Sequence, residues 1–232
     1  MWGISLALDP PPGLQRDAAV AWARADASAG VSNSATWFVA AETATALLAR
    51  FASDIPADQP PPFRGLSFCV APLAFVVGAA PHTDRTATAY SLFYRLYNRH
   101  LWKLHTPACF SAACRLVDAA VAHRAPRLTA FLSQQSAHGK PSSFVSRWLA
   151  YGFAAEALPL RELFRLWDAM ILLDTPLIFP AVAAAILCSH EQEFITTHQT
   201  PDTSKRLFDS LTSLKGVSSL IELTVRFLFV SD

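Results

Sequence analysis

The sequence predicts an all-α fold, and three observations carry that reading. Apolar residues recur at intervals of three and four along most of the chain, alternation of apolar and polar residues is almost absent, and prolines and glycines punctuate the chain at helix-length spacings. With 232 residues, 52% of them hydrophobic and 16% charged, the chain can bury a large core as one domain.

Residues 1–34 contain "LDPPPGLQRDAAVAWARADASAGVSNSA", rich in Pro, Ala and Ser, and are expected to form an irregular lead-in. Residues 35–215 are expected to form the helical domain. Its stripes include "TATALLARFA" (43–52), "ATAYSLFYRLYNRHLWKL" (87–104), "FSAACRLVDAAVAH" (110–123), "SSFVSRWLAYGF" (142–153) and "TSKRLFDSLTSL" (203–214), each read as one helix. In "LPLRELFRLWDAMI" the apolar positions Leu160, Leu163, Phe164, Trp167 and Ile171 form one stripe. That pattern turns Arg161, Glu162, Arg165 and Asp168 toward water or a partner, with Pro159 suited to the first turn. The end of the chain, 216–232, is β-branched and aromatic enough to read as either helix or strand.

The stretch "AMILLDTPLIFPAVAAAILC" (169–188) approaches the length of a membrane span but holds Asp174, Pro176 and Pro180. An ionised Asp in lipid costs several kcal/mol, so two helices joined at a Pro turn explain it better. Residues 66–80 are uncharged but too short for a comfortable span, and Pro72 interrupts them.

Charge and cysteine usage narrow the function classes. Lys plus Arg number 19 against 18 Asp plus Glu, so a net charge of +1 gives no general attraction to nucleic acid or anionic lipid. Cys69, Cys109, Cys114 and Cys188 lack the spacing of a disulfide scaffold, which fits a reducing compartment. The opening "MWGISLALDPPPG" has no basic n-region and only a short apolar run, unlike a signal peptide.

Local chemical motifs fail on spacing. Gly139-Lys140 is no phosphate loop, because Gln134 stands where the first Gly belongs and Pro141 where Ser or Thr belongs. His100, His105, Cys109 and Cys114 do not follow a zinc-finger pattern. No Gly-x-Ser-x-Gly elbow is present, and no Cys is assigned as a nucleophile. Arg95, Arg99 and Lys103, at i, i+4 and i+8, read as a solvated helix face, with phosphates or an acidic partner as the alternative.

Two blocks read together carry a resemblance. "PLRELFRLWDAMIL" followed by "AVAAAILCSHEQEFI" resembles the C-terminal half of the TBC domain, the all-helical module of Rab GTPase-activating proteins. Upstream, "ATALLARFASDIPADQPPPFRGLSFCVAPLAFV" resembles the helix, Pro-containing turn and "Tyr-x-Gln-Gly-Leu" helix of its N-terminal half. The resemblance implies a V-shaped, two-lobed helical fold spanning about residues 40 to 200.

The function that the resemblance implies is specific. Members of that family supply two side chains to a Rab-bound GTP, an Arg from "Ile-x-x-Asp-x-x-Arg" and a Gln from "Tyr-x-Gln". The Arg stabilises charge on the transferring phosphoryl group, and the Gln amide orients the attacking water. Here Arg64 occupies the Gln position and Pro62 the Tyr position, within Pro62-Phe63-Arg64-Gly65-Leu66. A guanidinium only donates hydrogen bonds, so it cannot reproduce the two-way bonding of an amide. The arginine motif is matched by Leu6-Ala7-Leu8-Asp9-Pro10-Pro11-Pro12, with Pro12 at the Arg position; Leu14-Gln15-Arg16-Asp17-Ala18-Ala19-Val20 is a second register, also without the Arg. Asp9, Arg64 and Gly65 are the implied GTPase-contact residues, and no residue is assigned as catalytic.

The expected activity is binding of a Rab-family GTPase, or scaffolding in vesicle traffic, without dual-finger catalysis. Two alternatives stay open: an active activator using Arg64, and a helical structural or membrane-associated protein. The implied partner is a Rab-type GTPase, alone or within a larger complex, with no nucleic acid, no cofactor, no metal and no transmembrane span. The implied location is cytoplasmic or peripheral on endomembranes.

Overall fold

The computed structural model describes residues 16–29, 41–55, 65–78, 85–134, 139–155, 158, 160–197 and 224. The described residues are overwhelmingly helical and include no strand, as the periodicity predicts. They fall into two compact units, Met1–Arg99 and His100–Asp232.

The first unit contains α1 (Arg16–Ala29), α2 (Ala41–Asp54), α3 (Leu66–Gly78) and α4 (Arg85–Leu96). Helix α1 corrects the irregular expectation for residues 1–34. Seven of its 14 residues are Ala, the strongest helix former, and they outweigh the Pro-rich stretch upstream. It packs against α2 and α3, and its buried positions Ala19, Ala23 and Ala27 are small enough for close approach. Helix α2 contributes Ala44, Leu47, Leu48, Phe51 and Ala52 to the same core.

Helix α3 is apolar on every face and is correspondingly buried, from Leu66 through Ala74 with Phe68 only partly covered. Pro72 lies inside it without ending it, a difference from the expected interruption: the helix gives up one backbone hydrogen bond there. Aromatic rings join α2 to α4 and to the residue after it, with Phe51 edge-on to Phe93 at 5.0 Å and to Tyr97 at 4.9 Å. At their rim Tyr90 donates its hydroxyl to Asp54 at 2.5 Å, and Arg50 lies 4.1 Å over the Tyr90 ring.

The single helix expected over 87–104 is broken by a π-helical turn, Tyr97–Leu101, which leads into the short α5 (Trp102–His105). One extra residue in the turn shifts the helical phase beyond it, so that His100, Leu101 and Leu104 are all buried. The same shift breaks the Arg95, Arg99, Lys103 stripe: the two arginines are exposed and Lys103 is half-buried.

The second unit continues with α6 (Pro107–Arg124), α7 (Pro126–Gln134), α8 (Pro141–Ala150), α9 (Leu160–Leu172), α10 (Ile178–Ser189) and α11 (Glu191–Thr197). Prolines 107, 126 and 141 are each the first helical residue, where the missing N–H costs nothing. Helix α10 is apolar all round and buried from Ile178 to Leu187 apart from a half-covered Ala181; it packs on α6 and α8.

The buried face of α9 is rotated from the expected stripe: it is Glu162, Leu163, Leu166, Trp167 and Met170, while Ile171 is exposed. Burial of Glu162 is made tolerable by Arg165, whose guanidinium lies 3.3 Å from its carboxylate. A turn centred on Asp174, at φ +50°, separates α9 from α10, as the Pro turn predicts. Among the described residues no helix is long and apolar enough to cross a membrane. The helix expected over 203–214 lies outside the described residues; of the ambiguous segment 216–232 only Thr224 is described, helical and buried.

Candidate functional site

The sequence singles out the entrance to α3, and the first unit builds that entrance from two helices distant in sequence. Gly65 precedes the first helical residue at φ +95°, a conformation an L side chain rarely adopts. Its N–H donates to Asp26 Oδ1 in a very short contact, and the Ser67 N–H donates to Asp26 Oδ2 at 2.8 Å. The Ser67 hydroxyl in turn donates to the Asp26 backbone carbonyl at 3.3 Å.

Asp26 comes from α1 and is 5% exposed. A buried carboxylate survives only when its oxygens are hydrogen-bonded, and here backbone donors at a helix N-terminus supply the bonds and the favourable dipole. Two donors that an incoming anion would otherwise meet are thus engaged by a side chain of the same unit.

Deeper in the unit, burial and then the Asp26 carboxylate push the Cys69 thiol far up, so it stays protonated and unreactive. Burial, with Cys69 second, raises the Tyr97 phenol in the same direction. These groups form a neutral interior behind the entrance.

Of the residues predicted for the site, Gly65 is half-buried and held by Asp26, whereas Asp9, Pro12 and Arg64 lie outside the described residues. The residue that sequence reasoning missed is Asp26. Sequence carries no signal for it: alanines recur on every face of α1, and the face that Asp26 shares with Ala19, Ala23 and Ala27 is marked as buried only by packing on α2 and α3.

The second unit uses the same device twice. Asp118 of α6 accepts the Ser142 N–H at 2.8 Å and the Ser142 hydroxyl at 2.9 Å at the start of α8. Glu191 accepts the Leu128 N–H at 3.0 Å in the first turn of α7. The histidine and cysteine set considered from sequence is dispersed in role: His100 Nδ1 lies 3.8 Å from Asp174, His105 Nε2 bonds the Ala150 carbonyl at 2.8 Å, and Cys109 is exposed. Among the described residues no group of three or more His, Cys, Asp or Glu side chains is gathered as for a metal ion.

Compared with known proteins, residues 63–195 match the family model of the Rab-GTPase-TBC domain, over more than half of the chain. No curated protein matches the chain.

Proposed function

The chain belongs to the Rab-GTPase-TBC domain family, and from that premise we propose that it binds a Rab-type GTPase without supplying both catalytic fingers. The observation that carries this reading is the residue beside the anchored entrance to α3. Position 64, next to the Gly65 held by Asp26, carries Arg where a water-orienting amide is required. A guanidinium has no acceptor for the water's proton.

The arginine finger is wanting in each register. Pro12 stands at that position after Asp9, and Val20 after Asp17. Asp26 offers a third, Ala23-Arg24-Ala25-Asp26-Ala27-Ser28-Ala29, with Ala29 at the end. Its support is the bonding of Asp26 to Gly65 and Ser67, which brings an Asp of that pattern to the N-terminus of α3. Asp9, Arg64 and Gly65 remain the proposed GTPase contacts. Within the family, "SFCVAPL", "ATAYSLFYRLYNRHL" and "LRELFRLWDAMIL" are similar to the TBC domain of the TBC-domain-containing protein kinase-like protein.

The protein then acts in vesicle traffic as a GTPase-binding or scaffolding module, cytoplasmic or peripheral on endomembranes, needing no cofactor. A nucleotide-state-dependent pull-down against a Rab panel tests binding, and single-turnover GTP hydrolysis tests catalysis. Capture of a GTP-loaded member without acceleration supports the reading. Acceleration by several orders, as an arginine finger in trans produces, rejects it. In that event the second reading applies, with Arg64 as the finger; Arg64→Ala leaving the acceleration intact would exclude that one as well.

A further inference from the structure

We infer that the turn between α9 and α10 is a second docking surface, and that its occupant is a basic amphipathic helix of a partner protein. The inference stands apart from GTPase binding. Within seven residues the turn leaves four aliphatic side chains facing water: Ile171 is 50% exposed, Leu172 84%, Leu173 60% and Leu177 55%. The buried face of α9 ends at Met170, so none of the four completes the core.

Their exposure is built into the backbone. The Thr175 N–H donates to the Met170 carbonyl and the Asp174 N–H to the Ile171 carbonyl, each at 3.2 Å, the paired bonds of a Schellman helix end with Asp174 as its left-handed residue. The Leu177 N–H then donates to the Thr175 hydroxyl at 3.2 Å. A bonded turn holds its side chains in one arrangement, which lowers the entropy cost of binding. Stability alone would select other residues here. Glycine suits the left-handed position and cations suit the last turn of a helix, yet the chain has Asp174 at the first and no basic residue in the second.

Charge and area decide what docks. Asp168, one turn before Leu172, is exposed; Asp174 is 59% exposed, and His100 Nδ1, 3.8 Å from its carboxylate, is too distant to hydrogen-bond it. No Lys or Arg lies between Arg165 and Lys205, and Arg165 is held by Glu162. An apolar patch flanked by carboxylates repels an anionic membrane surface and fits apolar anchors set among cations. The patch covers on the order of 400 Å², the size of a typical interaction patch. A stable dimer of two copies needs about 800 Å² per partner and would oppose like charges. A helix that lays one apolar stripe on the turn, with Lys or Arg beside the stripe, meets both conditions.

The test uses the full chain and two fluorescent helical peptides with the same leucine stripe, one with lysine and one with glutamate on its polar face. In anisotropy titrations at neutral pH the lysine peptide is expected to saturate, and to bind about tenfold or more tightly than the glutamate peptide. Leu172→Ser with Leu177→Ser is expected to weaken it about tenfold or more. Asp168→Asn with Asp174→Asn is expected to weaken it about threefold, an effect that fades at high salt. Asn tolerates the left-handed backbone at position 174, so that pair isolates charge. All four positions are exposed, and matching urea midpoints check that the variants fold.

A lysine peptide that fails to saturate, or that binds the double Ser variant as tightly as the unaltered chain, overturns the inference. Sedimentation with anionic vesicles that depends on Leu172 and Leu177 assigns the surface to a membrane, and a dimer that the Ser substitutions dissociate assigns it to a second copy; either result overturns the partner named here. Capture of a GTP-loaded Rab is expected to be unchanged in the double Ser variant. Its loss would make the turn part of the GTPase surface, which overturns a separate partner and leaves the binding function standing.

Discussion

Asp26 and Ser67 stand 41 positions apart, yet the Asp26 carboxylate accepts the Ser67 N–H at 2.8 Å and the Ser67 hydroxyl donates to the Asp26 carbonyl at 3.3 Å. A long-range pair this well satisfied converts an Ala-rich helix of weak apolar content into an integral part of the first unit. Asp26→Ala leaves the Gly65 and Ser67 N–H groups without their acceptor and is expected to cost about 2–4 kcal/mol. Ser67→Ala removes only the longer bond and is expected to cost about 1 kcal/mol or less. Urea unfolding of both variants checks the order; equal losses would mean that the carboxylate bonds contribute little.

The finger positions permit a gain-of-function test. If Asp26 is the Asp of the arginine motif, Ala29→Arg combined with Arg64→Gln restores both missing groups. The double variant is then expected to accelerate single-turnover GTP hydrolysis on a bound Rab by about 10³-fold or more, and either single variant by far less. Pro12→Arg with Arg64→Gln is the matching experiment for the Asp9 register. Acceleration there and not with Ala29→Arg would assign the motif to Asp9.

His105 is largely buried, and its ring bonds the Ala150 carbonyl at 2.8 Å. Burial lowers its pKa from 6.5 to about 4, against a smaller upward pull from that carbonyl. The unfolded chain therefore binds the proton first as pH falls. The contribution of His105 is fully present above about 6.5, declines as pH falls toward 4, and is lost below that. Its size is at most about 3 kcal/mol. Subtracting the urea stability of His105→Gln from that of the unaltered chain at pH 7.5, 5.5 and 4 isolates it from the carboxylates. A difference independent of pH would rule out the neutral buried ring.

How far the sequence reveals this architecture depends on the range of the physics. Helix periodicity is local, so α2, α6 and α8 are legible from their apolar spacing within a residue or a few at each end, and α10 from the Pro turn before it. The rotation of α9 is not, because the burial of Glu162, with Arg165 3.3 Å from its carboxylate, depends on tertiary packing that a periodic template does not contain. The π turn at Tyr97–Leu101 escapes for the same reason: its extra residue is stabilised by burying both His100 and Leu101, a tertiary gain invisible to a periodic template. At the candidate site Gly65 was legible from its motif, but Asp26 was not, since its role exists only through residues 39 and 41 positions away.

In the second unit Trp167 and Gly152 lock the turn after α8. The Trp167 indole N–H donates to the Gly152 carbonyl at 2.9 Å in the interior. Gly152 sits at φ +53°, where an added Cβ meets Phe179 at 3.3 Å and the Trp167 nitrogen at 3.4 Å. Gly152→Ala is expected to cost roughly 1–2 kcal/mol from the left-handed backbone, with crowding added. Trp167→Phe strands a buried carbonyl and is expected to cost about 1–3 kcal/mol beyond its lost packing. Because the two changes share one contact, the double variant is expected to lose less than the sum. Strict additivity in urea unfolding would show that the indole bond and the turn are energetically separate.

Thiol reactivity reads out both units in one experiment. Cys109 is exposed, Cys114 and Cys188 are partly covered, and Cys69 is fully buried. The thiolate is the reactive form, and burial aided by Glu191 pushes Cys188 up to about 11 against a smaller lowering by Arg124. At pH 8 only about one Cys188 in a thousand is then ionised. Burial followed by Asp118 moves Cys114 in the same direction. Iodoacetamide is therefore expected to modify Cys109 first and Cys114 and Cys188 slowly, with the Cys188 rate climbing as pH rises toward 10. Cys69 is expected to react only when the first unit unfolds, so its rate in Asp26→Ala should rise with the loss of stability. Peptide mapping over a time course gives all four rates; native Cys69 reacting as fast as Cys109 would contradict the closed core behind the α3 entrance.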